Sequence, residues 1–122
     1  MHELSIAHSL VDLAAAAAAD AGVARVSAVH LRVGALAGVV RDALEFSFEI
    51  AAADTPLAGA RLAIEELPAR VYCPRCDATA TLTDIRRFRC PACGTPTAQV
   101  VQGRELELVA LEYDEAAVGS RQ

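Results

Sequence analysis

Apolar residues recur at helical spacing near the start of the chain: Leu4, Ala7, Leu10 or Val11, Ala14, then Ala17 or Ala18. Alanine is the best helix former, so the spacing predicts a helix over 4–21 with Gly22 as its C-terminal cap. The pattern then switches period. Val29, Leu31 and Val33 alternate with Ala28, His30 and Arg32, which predicts a strand over 24–33 ending at Gly34. Val40, Leu44, Phe48 and Ala51 or Ala52 form one stripe of a second helix over 41–53, closed by TPLAG. ARLAIEEL at 60–67 alternates again, and so does RELELVALEY after Gly103, with Leu106 and Leu108 opposed to Glu105 and Glu107.

Between the last two strands the texture changes. Residues 68–98 hold four of the five prolines and all four cysteines, with few aliphatic runs. The expected fold class is α/β: a small three-stranded sheet with two helices, plus an inserted zinc-ribbon module. Its domains are an α/β part over 1–67 and 99–113, an inserted part over 68–98, and a flexible tail over 114–122. If strands 24–33 and 60–67 lie in one sheet, the helix between them makes a right-handed parallel crossover.

Composition narrows this further. The 122 residues suffice for one domain, or one domain with a small appendage, and the core must be built from Val, Leu, Ile and Ala because only 4% of residues are aromatic. No apolar run reaches the roughly 18 residues of a membrane span. His2, Glu3 and Asp12 replace the basic start and apolar stretch of a secretory signal, so a cytoplasmic location is expected. The net charge is −5 and every basic residue is arginine. Six arginines (70, 75, 86, 87, 89 and 104) against Asp77 and Asp84 give 70–104 a local +4, leaving −9 elsewhere. Overall acidity argues against a simple nucleic-acid binder, while the middle segment keeps that reading open.

The cysteines form two pairs, Cys73-Pro-Arg-Cys76 and Cys90-Pro-Ala-Cys93, with thirteen residues between them. A two-residue gap lets both thiolates of a pair approach one tetrahedral ion, and four thiolates suit Zn²⁺ or iron. Gly94 favours the turn that follows the second pair. The segments TATLTD and IRRFRC are expected to be the two strands of the ribbon. Structural disulfides conflict with the expected compartment, and a redox CxxC needs one pair at a helix start rather than two facing pairs. Zinc closed off by Cys73, Cys76, Cys90 and Cys93 is the favoured reading, with a structural and not a catalytic role.

At the start of the chain, the amine of Met1, the amide nitrogen of His2 and its imidazole Nδ1 can close two fused chelate rings, five- and six-membered. If the His2 amide gives up its proton, three nitrogens lie in one plane, which suits Ni²⁺ or Cu²⁺. Glu3 offers a carboxylate or a further amide, or simply favours the helix dipole. Removal of a start methionine requires a small second residue, so Met1 is expected to stay in front of histidine.

MHELSIA at the start, VGALAGV at 33–39, the CPxC and CPxCG pairs and GREL at 103–106 together resemble the HypA family of nickel metallochaperones, over residues 1–113. The resemblance implies nickel insertion into [NiFe]-hydrogenase, with a HypB-type GTPase and the hydrogenase large-subunit precursor as partners. It implies a nickel site at Met1, His2 and Glu3, and a zinc site at the four cysteines. Some relatives also serve urease, which nothing in these residues decides.

The remaining candidates have plainer readings. His8 and His30 are expected to be solvated or partly packed, and Glu105 and Glu107 to form the wet face of a strand. RRFR at 86–89 could bind phosphate or an acidic partner surface, but the favoured expectation is a solvated ribbon strand with Phe88 turned inward. GALAG lacks the Lys-Ser/Thr end of a phosphate loop. The expected function is a nickel carrier that is not an enzyme, with nickel as cargo and zinc as a structural ion, and no membrane or nucleic-acid partner. The alternatives are a zinc-ribbon module that binds nucleic acid or a transcription complex, and a redox protein that uses its cysteines.

Overall fold

The computed structural model describes residues 2–114. Its elements run α1 (Glu3–Asp20), β1 (Ala28–Gly34), α2 (Arg41–Ala52), β2 (Arg61–Leu67), β3 (Arg70–Cys73), β4 (Ala78–Thr81), β5 (Val100–Gln102) and β6 (Leu106–Glu112). They make two three-stranded sheets, ordered β2-β1-β6 and β4-β3-β5. The chain divides into two compact units, one of Met1–Leu31, Val39–Ile64 and Leu108–Gln122, the other of Arg32–Gly38 and Glu65–Glu107.

In the first unit α1 buries Ala7, Leu10, Val11, Ala14 and Ala18, the stripe read from the sequence, whereas Leu4 is half exposed. Its end is a Schellman turn. Gly22, at φ 73°, donates to the Ala19 carbonyl, and Val23 reaches back to the Ala18 carbonyl at 2.8 Å. Helix α2 packs on α1 through Leu44, Phe48, Ala51 and Ala52, while Val40, expected on that stripe, stands exposed as the helix N-cap. Thr55 closes α2 by donating its hydroxyl to the Ala52 carbonyl at 2.6 Å. Val29 and Leu31 of β1 and Leu57 complete this core.

The bonding around β1 fixes strand direction. Arg61 N–H donates to Ser27 and Ala35 N–H to Leu67, so β2 runs parallel to β1. Ser27 donates to Glu112 and Gly34 to Glu105, so β6 runs antiparallel to it. The crossover through α2 therefore joins two parallel strands.

The second unit holds the inserted segment. Strand β3 pairs with β4 in the register Arg70↔Thr81, Val71↔Ala80, Tyr72↔Thr79 and Cys73↔Ala78. On its other side it pairs with β5, with a shift between Arg70 and Val71. Ala69, Val71 and Leu82 form a small core lined by Leu36 and Val100. Of the two expected ribbon strands, TATLTD is one in part, since Thr79–Thr81 lie in β4, and IRRFRC is not one. β4 stops at Thr81, and the Asp84 side chain then accepts the Arg86 amide at 2.9 Å while its carbonyl accepts the Arg87 amide. That Asx-type turn competes with extended chain. Of 85–90 only Arg89 makes a β-bridge, to Pro96.

Candidate metal centre

Two tight turns bring the cysteines together. Cys73 ends β3, and the amide of Cys76 points back to its Sγ at 3.4 Å. Asp77 and Gly94, the residues directly after each pair, both take positive φ, 51° and 75°. Each pair therefore needs a left-handed residue at the same point, and Asp is one of the few side-chain-bearing residues that accept it. The sequence reading noticed Gly94 and missed Asp77. The second turn is fixed by Gly94 N–H to the Cys90 carbonyl at 2.8 Å and by Cys90 N–H to the Thr95 carbonyl at 2.9 Å. Thr97 then ties this loop to β3, its hydroxyl donating to the Tyr72 carbonyl at 2.7 Å.

All four sulfurs lie within 4.8 Å of one another. Cys73 Sγ is 3.6 Å from Cys93 Sγ, and Cys76 Sγ is 3.9 Å from Cys90 Sγ. A tetrahedral thiolate centre with metal–sulfur bonds of about 2.3 Å has sulfur–sulfur edges of about 3.8 Å. The cluster fits a metal ion. One cysteine of each pair, Cys73 and Cys90, is buried, and one, Cys76 and Cys93, is exposed.

The four thiols are not equivalent. The Cys93 thiol is drawn down to about 6, chiefly by the hydroxyl of Thr95, 3.1 Å from its Sγ, and then by the Thr95 amide. Cys76 is pushed up to about 12, because it shares protons with Cys93, then Cys73 and Cys90. Of these two, Cys93 is the sulfur more readily deprotonated. Thr95 was not visible as a functional residue in the sequence; its position two residues after Cys93 is the signal. Across the turn, Tyr72 donates its hydroxyl to Asp77 at 2.5 Å, a bond that holds its own proton on.

At the other candidate site Met1 lies outside the described residues. His2 is the N-cap of α1, exposed, and its side chain makes no capping bond. Glu3 is half-buried and turned to α2: its Oε2 accepts the Val40 amide at 3.1 Å. That bond, followed by one from its own amide, holds the Glu3 carboxyl below the usual carboxylate range. A glutamate normally satisfies an N-cap amide from within its own helix; here it comes from another helix, which sequence spacing could not reveal.

His8 is exposed on α1, and His30 bonds to Glu112, which also lies 3.4 Å from the Arg61 guanidinium. Glu105 is not a wet strand residue: it precedes β6, and its Oε1 accepts the Gly103 amide at 2.8 Å. Phe88 is half-buried. Among the described residues no helix is long and apolar enough to cross a membrane, and the cysteines are the one grouping able to hold a metal ion.

A helix pair with a three-stranded sheet and a four-thiol ribbon defines a metal-binding protein. A profile described as hydrogenase/urease nickel incorporation, metallochaperone, hypA matches residues 1–113. Hydrogenase maturation factor HypA of Chloroflexus aurantiacus is 69% identical over 112 residues, 92% of this chain and 98% of that protein. The factor of the same name from a Roseiflexus species is 62% identical over 115 residues, 94% of each. The solution structure of the Ni metallochaperone HypA from Helicobacter pylori aligns with a TM-score of 0.66 at 20% identity, covering 98% of this chain and all of that one, a likeness of fold. The chain belongs to the HypA family of nickel-incorporation metallochaperones, which act in hydrogenase and urease maturation.

Proposed function

We propose that this protein carries Ni²⁺ as cargo at its N-terminus and delivers it for maturation of a [NiFe]-hydrogenase. The ligands are the Met1 amine, the amide nitrogen and imidazole of His2, and Glu3. Family membership over residues 1–113 carries the reading. It is supported by the exposure of His2 and by an imidazole that no capping bond occupies. The site needs a free amine at Met1. A terminal claw suits a carrier, because its ligands are held by few contacts, can be released in steps and are open to a partner.

The second metal is structural Zn²⁺, held by Cys73, Cys76, Cys90 and Cys93. When bound, it supplies folding free energy and a fixed shape rather than chemistry, since four protein ligands leave no open position. The chain's own residues set that shape: Asp77 and Gly94 turn the backbone, and Thr95 favours the Cys93 thiolate. The inserted part, 68–98, then acts as a rigid docking element. The partners are a HypB-type GTPase and the hydrogenase large-subunit precursor, in the cytoplasm, and the protein itself turns nothing over.

The test is calorimetric nickel titration of native-terminus protein beside two variants, His2→Ala and a copy extended by one residue before Met1. Nickel binding is expected to be lost in the first and weakened in the second, with zinc content and helicity unchanged. Equal nickel affinity in all three would remove the amine and imidazole from the ligand set.

A further inference from the structure

We propose that the tip of the cysteine ribbon, with Arg75, Arg86, Arg87 and Arg89 and the exposed Ile85, docks an acidic segment of a partner protein. The inference rests on the reading of the ribbon as a metal-held docking element and names its surface and its ligand chemistry.

The fold concentrates these cations. Arg75 lies inside the first cysteine pair and Arg89 adjoins Cys90, and the 3.9 Å approach of Cys76 and Cys90 sulfurs draws the two segments together. Arg86 and Arg87 occupy the turn just before. The nearby acids are already engaged, Asp77 by the Tyr72 hydroxyl and Asp84 by the amide and Nε of Arg86. Arg89 gives a guanidinium donor to the Gly94 carbonyl at 3.2 Å. The guanidinium groups of Arg75 and Arg87 have no hydrogen-bond or ion-pair partner among the described residues. The Arg86 side chain is 88% exposed despite its contact with Asp84. Ile85, 48% exposed and next to Arg86 in the chain, adds an apolar side chain to the segment.

Guanidinium forks match carboxylates in paired geometry, and arginine is enriched where proteins meet. Nucleic acid fits less well. The chain carries −5 overall, and the ribbon offers no fully exposed ring for stacking bases, because Phe88 and Tyr72 are both half-buried. A short carboxylate-rich segment with an aliphatic residue suits this surface.

The test titrates the full, zinc-loaded chain with a fluorescein-labelled peptide of glutamates and leucines, and separately with a single-stranded oligonucleotide of equal charge. Peptide binding is expected to exceed oligonucleotide binding and to weaken with salt. The Arg86→Glu/Arg87→Glu variant should lose affinity by about tenfold or more and gain binding to a lysine–leucine peptide, while Arg25→Glu, outside the ribbon, changes neither. Should the reversed variant lose its metal, Arg86→Gln/Arg87→Gln serves instead. Unchanged peptide affinity in the variant overturns the proposal, and so does preference for the oligonucleotide. Metal analysis of the same samples keeps the two readings apart: a ribbon that binds the peptide without zinc sinks the structural-zinc reading and leaves the docking surface standing.

Discussion

Gly34 and Gly103 pack backbone against backbone. A Cβ on Gly34 would sit 2.1 Å from the Gly103 carbonyl carbon and oxygen. The contact is locked by hydrogen bonds on both sides, Leu36 N–H to the Gly103 carbonyl at 2.7 Å and Gly34 N–H to the Glu105 carbonyl at 2.8 Å. Gly103, at φ 127°, could not itself carry a side chain, since its Cβ would meet Ala69 Cα at 2.9 Å. The VGALAGV and GREL segments, two of the four motifs of the resemblance, are thus two halves of one close approach.

Gly34→Ala is therefore expected to cost stability near the upper end of the overpacking range, about 3 kcal/mol, because the obstructing atoms are backbone and cannot rotate away. Gly38 has positive φ but open space, so Gly38→Ala should cost only about 1 kcal/mol from strain. Chemical denaturation of the two variants checks the difference. Equal losses would show that the Gly103 backbone yields easily.

Cys73→Ser should remove the ribbon's metal and the hydrogen-exchange protection of β3, β4 and β5, while amides of α1 and α2 stay protected. The inserted segment has only a small core of Ala69, Val71 and Leu82, too little to fold without metal-binding energy, typically about 10 kcal/mol or more for structural zinc. Metal analysis with exchange mass spectrometry reads both effects. Retained protection at β3 would mean that the metal is dispensable for the ribbon.

In metal-free protein the thiolate absorbance of Cys93 should appear near pH 6, and Thr95→Val should move it up toward the ordinary cysteine range. The lowered value has a stability consequence. Cys93 contributes stability that is full above the ordinary thiol value and fades as pH falls through about 6. An unmoved titration in Thr95→Val would show that the hydroxyl is not the cause.

Glu112 is expected to titrate below the usual carboxylate range, first because His30 hydrogen-bonds to it and second because His30 and Arg61 are cationic neighbours. A depressed carboxylate stabilises the fold above its ordinary value and loses that contribution as pH falls through the lowered one. Carboxyl chemical shifts followed by NMR should rise toward ordinary behaviour in His30→Ala. If Glu112 is indifferent to that change, the bond does not persist in solution.

Local rules carried much of the reading. Alanine content and three-four spacing located α1, Gly22 located its end, and alternation located β1, β2 and β6, because each rests on neighbours a few residues apart. The paired CxxC spacing likewise announced four converging sulfurs. Where a local pattern misled, a competing local bond had won: Asp84 turns the chain at 84–87 where IRRFRC looked like a strand.

What sequence alone determined was the inventory: two helices, the main strands and a four-cysteine segment between the last two of the first sheet. What only tertiary structure decided was which distant groups meet. Glu3 reaches the Val40 amide, Thr95 touches Cys93 within a loop bonded to β3, and Gly34 presses on Gly103 across sixty-nine positions. Such contacts depend on the three-dimensional path of the backbone, and a side chain's chemistry does not encode which remote hydrogen-bond partner that path will bring within 3 Å.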